Sequence, residues 1–582
     1  MSIESTAENC LSKMSVEEKI GQCLTYWWRG AMITPSVVET ITRLHCGGLR
    51  VEPYRTESGV EGYYGLDLKV KNFERPQGYY KITESHFQAS LPNYNITASE
   101  YARRLNRLKE IAMNRPSGAP LHICTDFEGD FSHDFAFDGM NLYPPAMGLK
   151  ATGSAQTAYD VGYAIGKQLA DIGINMLHSP VCDVNLNPKN PEINIRAFAD
   201  SPGQVSTYAA QLTRGIVDAR VIATAKHFPG RGDSAVDAHK ELPVLDVTRE
   251  RLDAIELYPY KAQIEAGVPA IMTAHNVYPA LDDSGLPATL SHKILIDILR
   301  NEMGFKGLIT SDAMGMGAIV NKWGVPVASA MAINAGCDLI LLKFEDELRS
   351  QTFFEIKRWV DDGRISMETL DARVRNVLTM KAEFGMFENG GRVNVDQASA
   401  TLKDPKFINL AKDVAEKSVM IMRDRKSILP LSTGKKVLIV EQLLQDKTVP
   451  RNSYYHQHSF NEAMLDQSLN VINADTSFSA TDEEIDIILN AAHQADAVVM
   501  TNYFWRVRKE NNTKLFAQIK ATGKPVVVVT NNPFEMGAGP EVDTAICTFS
   551  VTPQSLKAAA AVIYGKLTPT AQWPLDTIEL KK

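Results

Sequence analysis

Residues 221–246 read VIATAKHFPGRGDSAVDAHKELPVLD. The first five are small or β-branched and suit a buried strand. The next fourteen, 226–239, crowd in Lys226, His227, Arg231, Asp233, Asp237 and His239, and Pro229, Gly230 and Gly232 interrupt them. That part is neither a buried strand nor an amphipathic helix, so it is a bent polar loop. An apolar strand that ends in a proton-active loop is the building unit of an α/β barrel, where function collects at the C-terminal strand ends.

The unit repeats along the first two thirds of the chain. Runs at 46–51, 120–128, 174–185, 221–228, 270–278, 307–314 and 337–342 read as strands. Stretches with helical spacing lie between them, such as TAYDVGYAIGKQLADIG (157–173), SPGQVSTYAAQLTRGIV (201–217), TRERLDAIELYPYKAQIEAG (248–267) and SHKILIDILRNEMGF (291–305). Repeated strand–helix units imply a parallel sheet covered by helices. Six or seven of them in about 350 residues suit a closed (β/α)8-type, TIM-like barrel better than an open sheet. Residues 52–99 break the rhythm. They are rich in Tyr and turn formers and follow the first expected strand, which places them as either a wall of the site or a tolerated surface insertion.

Past about residue 390 the pattern changes. A helix ends near ENGG (388–391), a polar linker follows, and runs at 435–441, 496–503, 524–532 and 543–550 alternate with helical stretches. The expectation is a barrel over 1–390 and a smaller α/β domain with an open sheet over 391–582. No glycine-rich phosphate loop opens a helix there. A chain of 582 residues exceeds what one core supports, which agrees with two domains.

The net charge of −8 is modest for this length, so neither nucleic acid nor an anionic membrane is an expected partner. Seven scattered cysteines without a CxxC pair point to buried thiols in a reducing compartment. The N-terminus has no basic head followed by an apolar core, and the expected localisation is cytoplasmic. No run reaches the length of a membrane span.

Five strand ends deliver polar side chains to the same rim: Asp126 and Glu128; His178, Asp183 and Asn185; Lys226 and His227; His275 and Asn276; Ser311 and Asp312. A single such residue is easily a cap, but five strands together imply a polar ligand. Asp312, in LITSDAMGMGAI (308–319), suits a nucleophile or base, with a helix N-cap as the competing reading. Asp237 and His239 sit two apart in a loop and can turn to one side. A carboxylate on one imidazole nitrogen fixes the tautomer and favours the cation. The other nitrogen can then carry a proton near neutral pH. Gly230 and Gly232 supply backbone freedom and let the loop swing.

KHFPGRGDSAVDAHKELP (226–243) together with SDAMGM (311–316) closely resembles glycoside hydrolase family 3, in its β-N-acetylglucosaminidase branch. MSVEEKIGQ (14–22), TDFEG (125–129), LYPPAMGL (142–149) and EINIRAFADSP (192–202) resemble further segments of that family. AEKSVMIMRDRKSILPL (415–431) and AAAAVIYGKLTPTAQWPL (558–575) resemble the start and end of its αβα-sandwich second domain. The resemblance implies Asp312 as nucleophile and His239 as acid/base partnered by Asp237. It implies Asp126, Arg196, Lys226 and His227 as ligands of the sugar hydroxyls, and no cofactor or metal. It implies a carbohydrate substrate containing N-acetylglucosamine.

One segment departs from that pattern. DFEGDFSHDF (126–135) places Asp130, Phe131 and Asp134 where the branch carries Gly, Arg and Arg. This leaves three enzyme readings: a β-N-acetylglucosaminidase, a β-glucosidase or other hexosidase, and a phosphorylase in which phosphate replaces water. A carbohydrate-binding protein that has lost its chemistry is the non-enzymatic reading.

Overall fold

A computed structural model describes residues 2–53, 96–129, 139–344, 347–443, 458–504 and 512–578. Eight strands close into a barrel in chain order: β1 (Leu24–Arg29), β2 (Gly48–Glu52), β3 (His122–Thr125), β4 (Met176–Leu177), β5 (Ile222–Phe228), β6 (Ala270–Thr273), β7 (Leu308–Ala313) and β8 (Leu339–Leu342). Every pairing is parallel, and β1 closes on β8. The strands are buried almost throughout, as they must be when side chains fill the barrel and helices cover it.

The run at 46–51, taken as the first strand, is the second. The first is LTYWWR (24–29), directly after the helix Val16–Gln22, which Ser15 and Glu18 cap reciprocally. The expected strand at 174–185 contracts to two residues, plus one bridge from Val181 to Lys226. The single helix expected over 248–267 is two, Arg249–Ala254 and Tyr258–Glu265, with Pro259 in the first turn of the second. The polar linker after ENGG is not extended. Its residues form the helices Val395–Leu402 and Pro405–Ser418, and the first packs on the barrel helices Ala98–Met113 and Ala155–Ile172. Most of the 52–99 segment lies outside the described residues.

A separate six-stranded sheet follows, in the order β11-β10-β12-β13-β14-β9. Its strands are β9 (Met420–Asp424), β10 (Val437–Gln442), β11 (Val471–Thr476), β12 (Ala497–Thr501), β13 (Val526–Thr530) and β14 (Thr544–Cys547). Five are parallel, and β9 runs antiparallel to β14. The four expected strands are present. β9 and the edge strand β11 are additions. The C-terminal segment returns to the barrel, where the Asp200 carboxylate accepts from the backbone N–H groups of Asp576, Thr577 and Ile578. All seven cysteines are free and buried. Among the described residues no helix is long and apolar enough to cross a membrane.

Candidate active site

The C-terminal ends of the barrel strands surround an open-mouthed cavity of about 550 Å³. Of the residues singled out in the sequence, Asp126, Glu128, His178, Arg196, Lys226, His227, Arg231, His239 and Asp312 line it. Asp237 stands behind His239. Met272, Met316 and Leu341 supply an apolar part of the wall.

One side of the cavity is a chain of alternating charge. Arg50, in the middle of β2, donates to Asp126 through Nε (3.2 Å) and Nη2 (2.6 Å). Lys226 Nζ lies 2.9 Å from Asp126 and 2.5 Å from Glu128. Arg196 grips Glu128 with two parallel bonds, 2.6 and 2.9 Å. Arg50 and Lys226 are almost fully buried, whereas the Asp126 side chain keeps 18% of its exposure. The cations therefore hold the carboxylate from behind and turn its remaining lone pairs toward the cavity, the arrangement that accepts hydroxyl donors. Burial pushes the Asp126 carboxyl up, but Lys226 and Arg50 outweigh it and hold it well below its ordinary range. The same contest, with Arg196 and Lys226 as the cations, brings Glu128 down to about 2. Removing one member of such a chain would leave an uncompensated buried charge, costing about 3–5 kcal/mol.

The other side carries the loop after β5. His239 Nδ1 lies 2.8 Å from Asp237 Oδ1, and the same oxygen accepts from the His239 backbone N–H at 2.9 Å. Burial pushes Asp237 up, as does the charge of Glu192, yet the ring hydrogen bond, charge and backbone N–H of His239 together keep Asp237 below its ordinary value. Glu192 is a third carboxylate at this point. Its Oε2 is 3.3 Å from His239 Nδ1 and 3.2 Å from Arg231 Nη1, and its Oε1 accepts from the Ala238 N–H at 2.8 Å. Glu192, Asp237 and His239 lie close enough together to ligate an ion. Arg231 and backbone N–H groups already meet the carboxylate charge there.

Asp312 occupies the end of β7. Oδ1 accepts from the Ala313 N–H at 2.7 Å, and Oδ2 faces Arg231 Nη1 at 3.5 Å. Burial raises the carboxyl and Arg231 lowers it; the net position is below the ordinary value. Asp312 is thus a partly buried carboxylate, held below its ordinary pKa, that lines the cavity. It is no helix cap, because the following helix begins at Gly317.

Several strand-end residues that seemed available for a ligand do not line the cavity. Asp183 accepts from His227 Nδ1 (2.7 Å) and the Arg231 N–H (2.7 Å), behind the wall. His275 spends both nitrogens on Thr289 Oγ1 and the Ala313 carbonyl. Ser311 Oγ accepts from the Leu341 N–H. Strand β6 contributes Met272 in place of the expected imidazole. Arg50 and Glu192 were not singled out. Both stand in polar positions beside apolar residues, in GLRVE (48–52) and EINIR (192–196), but only long-range packing shows their partners.

The two glycines also divide their roles. Gly230 has a φ of +132°, which other residues avoid. Gly232 permits close approach, since a Cβ there would lie 1.8 Å from the Val184 carbonyl oxygen. The loop beyond them is pinned to the element after β7. Gly317 N–H donates to His239 O (3.1 Å) and Ala318 N–H to Ala238 O (3.0 Å). The structure holds the imidazole docked rather than swung away.

Residues 73–380 match the sequence model of the glycosyl hydrolase family 3 N-terminal domain. The chain belongs to glycoside hydrolase family 3. It is 28% identical over 508 residues to the beta-N-acetylglucosaminidase/beta-glucosidase of Cellulomonas fimi, covering 83% of this chain and 87% of that one. It is 29% identical over 414 residues to beta-hexosaminidase A of Pseudoalteromonas piscicida, covering 68% and 67%. Its structure is similar to that of a glycoside hydrolase family 3 beta-N-acetylglucosaminidase from Paenibacillus sp. str. FPU-7. The TM-score is 0.81 at 27% identity, with 97% and 99% of the two chains covered. A beta-glucoside phosphorylase shares the fold at 20% identity, with a TM-score of 0.78 and coverage of 99% and 97%. The protein is therefore a glycoside hydrolase whose substrates are carbohydrates.

Proposed function

We propose that this glycoside hydrolase releases terminal β-linked N-acetylglucosamine with retention of configuration. One observation carries the chemistry: an ionised Asp312 and a His239 held by Asp237 serve the same cavity, with Arg231 beside Asp312 and Glu192 beside His239. Asp126, Lys226, His227 and Arg196 would bind the sugar hydroxyls. An Asp312 oxygen attacks the anomeric carbon while the bond to the aglycone oxygen breaks, and that oxygen takes a proton from His239. Because Nδ1 is held by Asp237, proton transfer falls to Nε2. His239 then accepts a proton from water as the water displaces Asp312 from the same carbon. The names of the Cellulomonas and Paenibacillus relatives support N-acetylglucosamine as the sugar. Residues 130–138, where the sequence departs from the branch pattern, lie outside the described residues.

The test is a panel of aryl β-glycosides, run with and without inorganic phosphate. The N-acetylglucosaminide should exceed the glucoside in kcat/KM by at least about tenfold, the size of one well-placed contact. The product should be the free sugar in both buffers. A glucoside preference would reassign the sugar, and a sugar phosphate would reassign the acceptor. His239 keeps phosphorolysis on the panel, because a neutral imidazole repels phosphate less than a carboxylate does.

Arg231 provides a check through pH. It is the principal cation holding Asp312 below its ordinary value. Arg231→Gln removes that cation and leaves burial, so the Asp312 pKa rises in the variant. The nucleophile is then protonated at a higher pH, and the acidic limb of the kcat/KM profile should move up. An unmoved acidic limb would separate Asp312 from that limb.

A further inference from the structure

The second domain reaches the sugar site through a three-residue turn. Asn194–Arg196 is a single 3-10 turn of the barrel loop after β4, and its three side chains point three ways. Asn194, with a φ of +45°, receives a hydrogen bond of 2.7 Å on Oδ1 from Asn532 Nδ2. Asn532 lies just beyond β13 in the second domain and is fully buried. Ile195 packs into the apolar cluster under the second sheet, with Val528, Phe534 and Phe549. Arg196 turns back into the barrel and grips Glu128 at the cavity wall.

The geometry points to Asn532 as a positioning residue for Arg196, so that the second domain sets the sugar-binding side of the cavity; this deepens the proposed function and rests on it. The amide of Asn532 can present only one face to Asn194. Its Oδ1 is already taken by the Phe534 N–H (2.9 Å), which turns Nδ2 toward the turn. The receiving oxygen is fixed in its own right, because Asn194 Oδ1 also accepts from the Ile195 N–H at 3.0 Å. From the barrel side Asn185 Nδ2 donates to the Asn194 carbonyl (3.3 Å), and the Arg196 N–H donates to Ile193 O (2.9 Å). The turn is therefore clamped between the two domains one residue from the cavity. Glu192, two residues before Asn194, holds the Ala238 N–H beside His239, so the same loop also serves the acid/base side. A functional side chain needs such support, because displacement by about 1 Å can cost on the order of a hundredfold in rate.

The experiment is a double-mutant cycle on the full chain, read by steady-state kinetics on an aryl β-N-acetylglucosaminide and by N-acetylglucosamine affinity from isothermal titration. Asn532→Ala should lower kcat/KM by about ten- to a hundredfold, mainly through KM, and weaken sugar binding in parallel. In an Arg196→Ala background, adding Asn532→Ala should change kcat/KM by less than about twofold, because the group it positions is gone. Multiplying losses in that background, or parental KM and affinity in Asn532→Ala, would overturn the assignment. If Asn532→Ala does not fold, Asn194→Gly interrupts the same contact from the barrel side while allowing the positive φ, and the same outcomes apply. Should the parent prefer another glycoside, the proposed sugar fails while the cycle, run on the preferred glycoside, still decides the role of Asn532.

Discussion

Asp312→Asn should reduce turnover of every glycoside by about 10⁴-fold or more and leave thermal unfolding nearly unchanged. The loss is large because a neutral amide cannot form the glycosyl-enzyme, and removal of a covalent nucleophile costs factors of this order in other enzymes. The fold should survive because the change is nearly isosteric. The amide oxygen can still accept from the Ala313 N–H, now at 2.7 Å, and Arg231 keeps Glu192 at 3.2 Å as a counter-charge. Strand β7 is held by its parallel neighbours β6 and β8, independently of this side chain. The check pairs two measurements on one preparation: kcat by spectrophotometry and the unfolding midpoint by circular dichroism. Retained activity within about tenfold would take the nucleophile away from Asp312. A large fall in the midpoint would instead make the carboxylate a structural element of the rim.

The barrel was legible because buried parallel strands announce themselves as short apolar runs with polar ends. Strand β1, LTYWWR, escaped although it lies between the helices Val16–Gln22 and Pro35–Thr42, because its bulky aromatic residues and terminal arginine differ from the small and aliphatic runs of the other strands. Strand β11, VINADT, escaped for another reason. It is an edge strand, half-exposed along most of its length, and polar residues alternate through it as they would in a loop. In the site, local spacing announced the contact between Asp237 and His239, and strand ends announced that Asp126, Lys226, His227 and Asp312 line one cavity. Local spacing could not separate strand-end residues that face the cavity from those that brace it. His275 and Asp312 look alike in sequence, each one residue or so past an apolar run. Only the packing shows the first spent on Thr289 and the second left facing Arg231. The contact between Asn532 and Asn194 joins residues 338 apart, and no local pattern could announce it.

His239→Ala should separate leaving groups. Natural oligosaccharides should lose about 10²–10⁴-fold in kcat/KM, the usual worth of general acid–base help, while nitrophenyl glycosides should lose far less in the first step. The reason lies in the departing oxygen. A sugar alkoxide is too basic to leave without a proton, and a nitrophenolate leaves readily without one. The second step needs His239 as a base for either substrate, so the glycosyl-enzyme should accumulate on activated substrates. Mass spectrometry of the quenched variant should then show one added sugar residue on the peptide containing Asp312. Azide, which attacks without a base, should restore part of the turnover and give the glycosyl azide. Asp237→Asn should give a weaker version of the same pattern. At present the hydrogen bond, charge and backbone N–H of His239 together keep Asp237 below its ordinary value, so a carboxylate charge faces the ring. The amide removes that charge but leaves Glu192 Oε2 at 3.3 Å from Nδ1 as a second, less well-aligned carboxylate. The loss should therefore fall between the parent and His239→Ala, and Glu192→Gln in the Asp237→Asn background should bring it close to the latter. Equal losses for both leaving-group classes, with Asp237→Asn silent, would move the proton donor elsewhere and leave the DAH loop as a binding element.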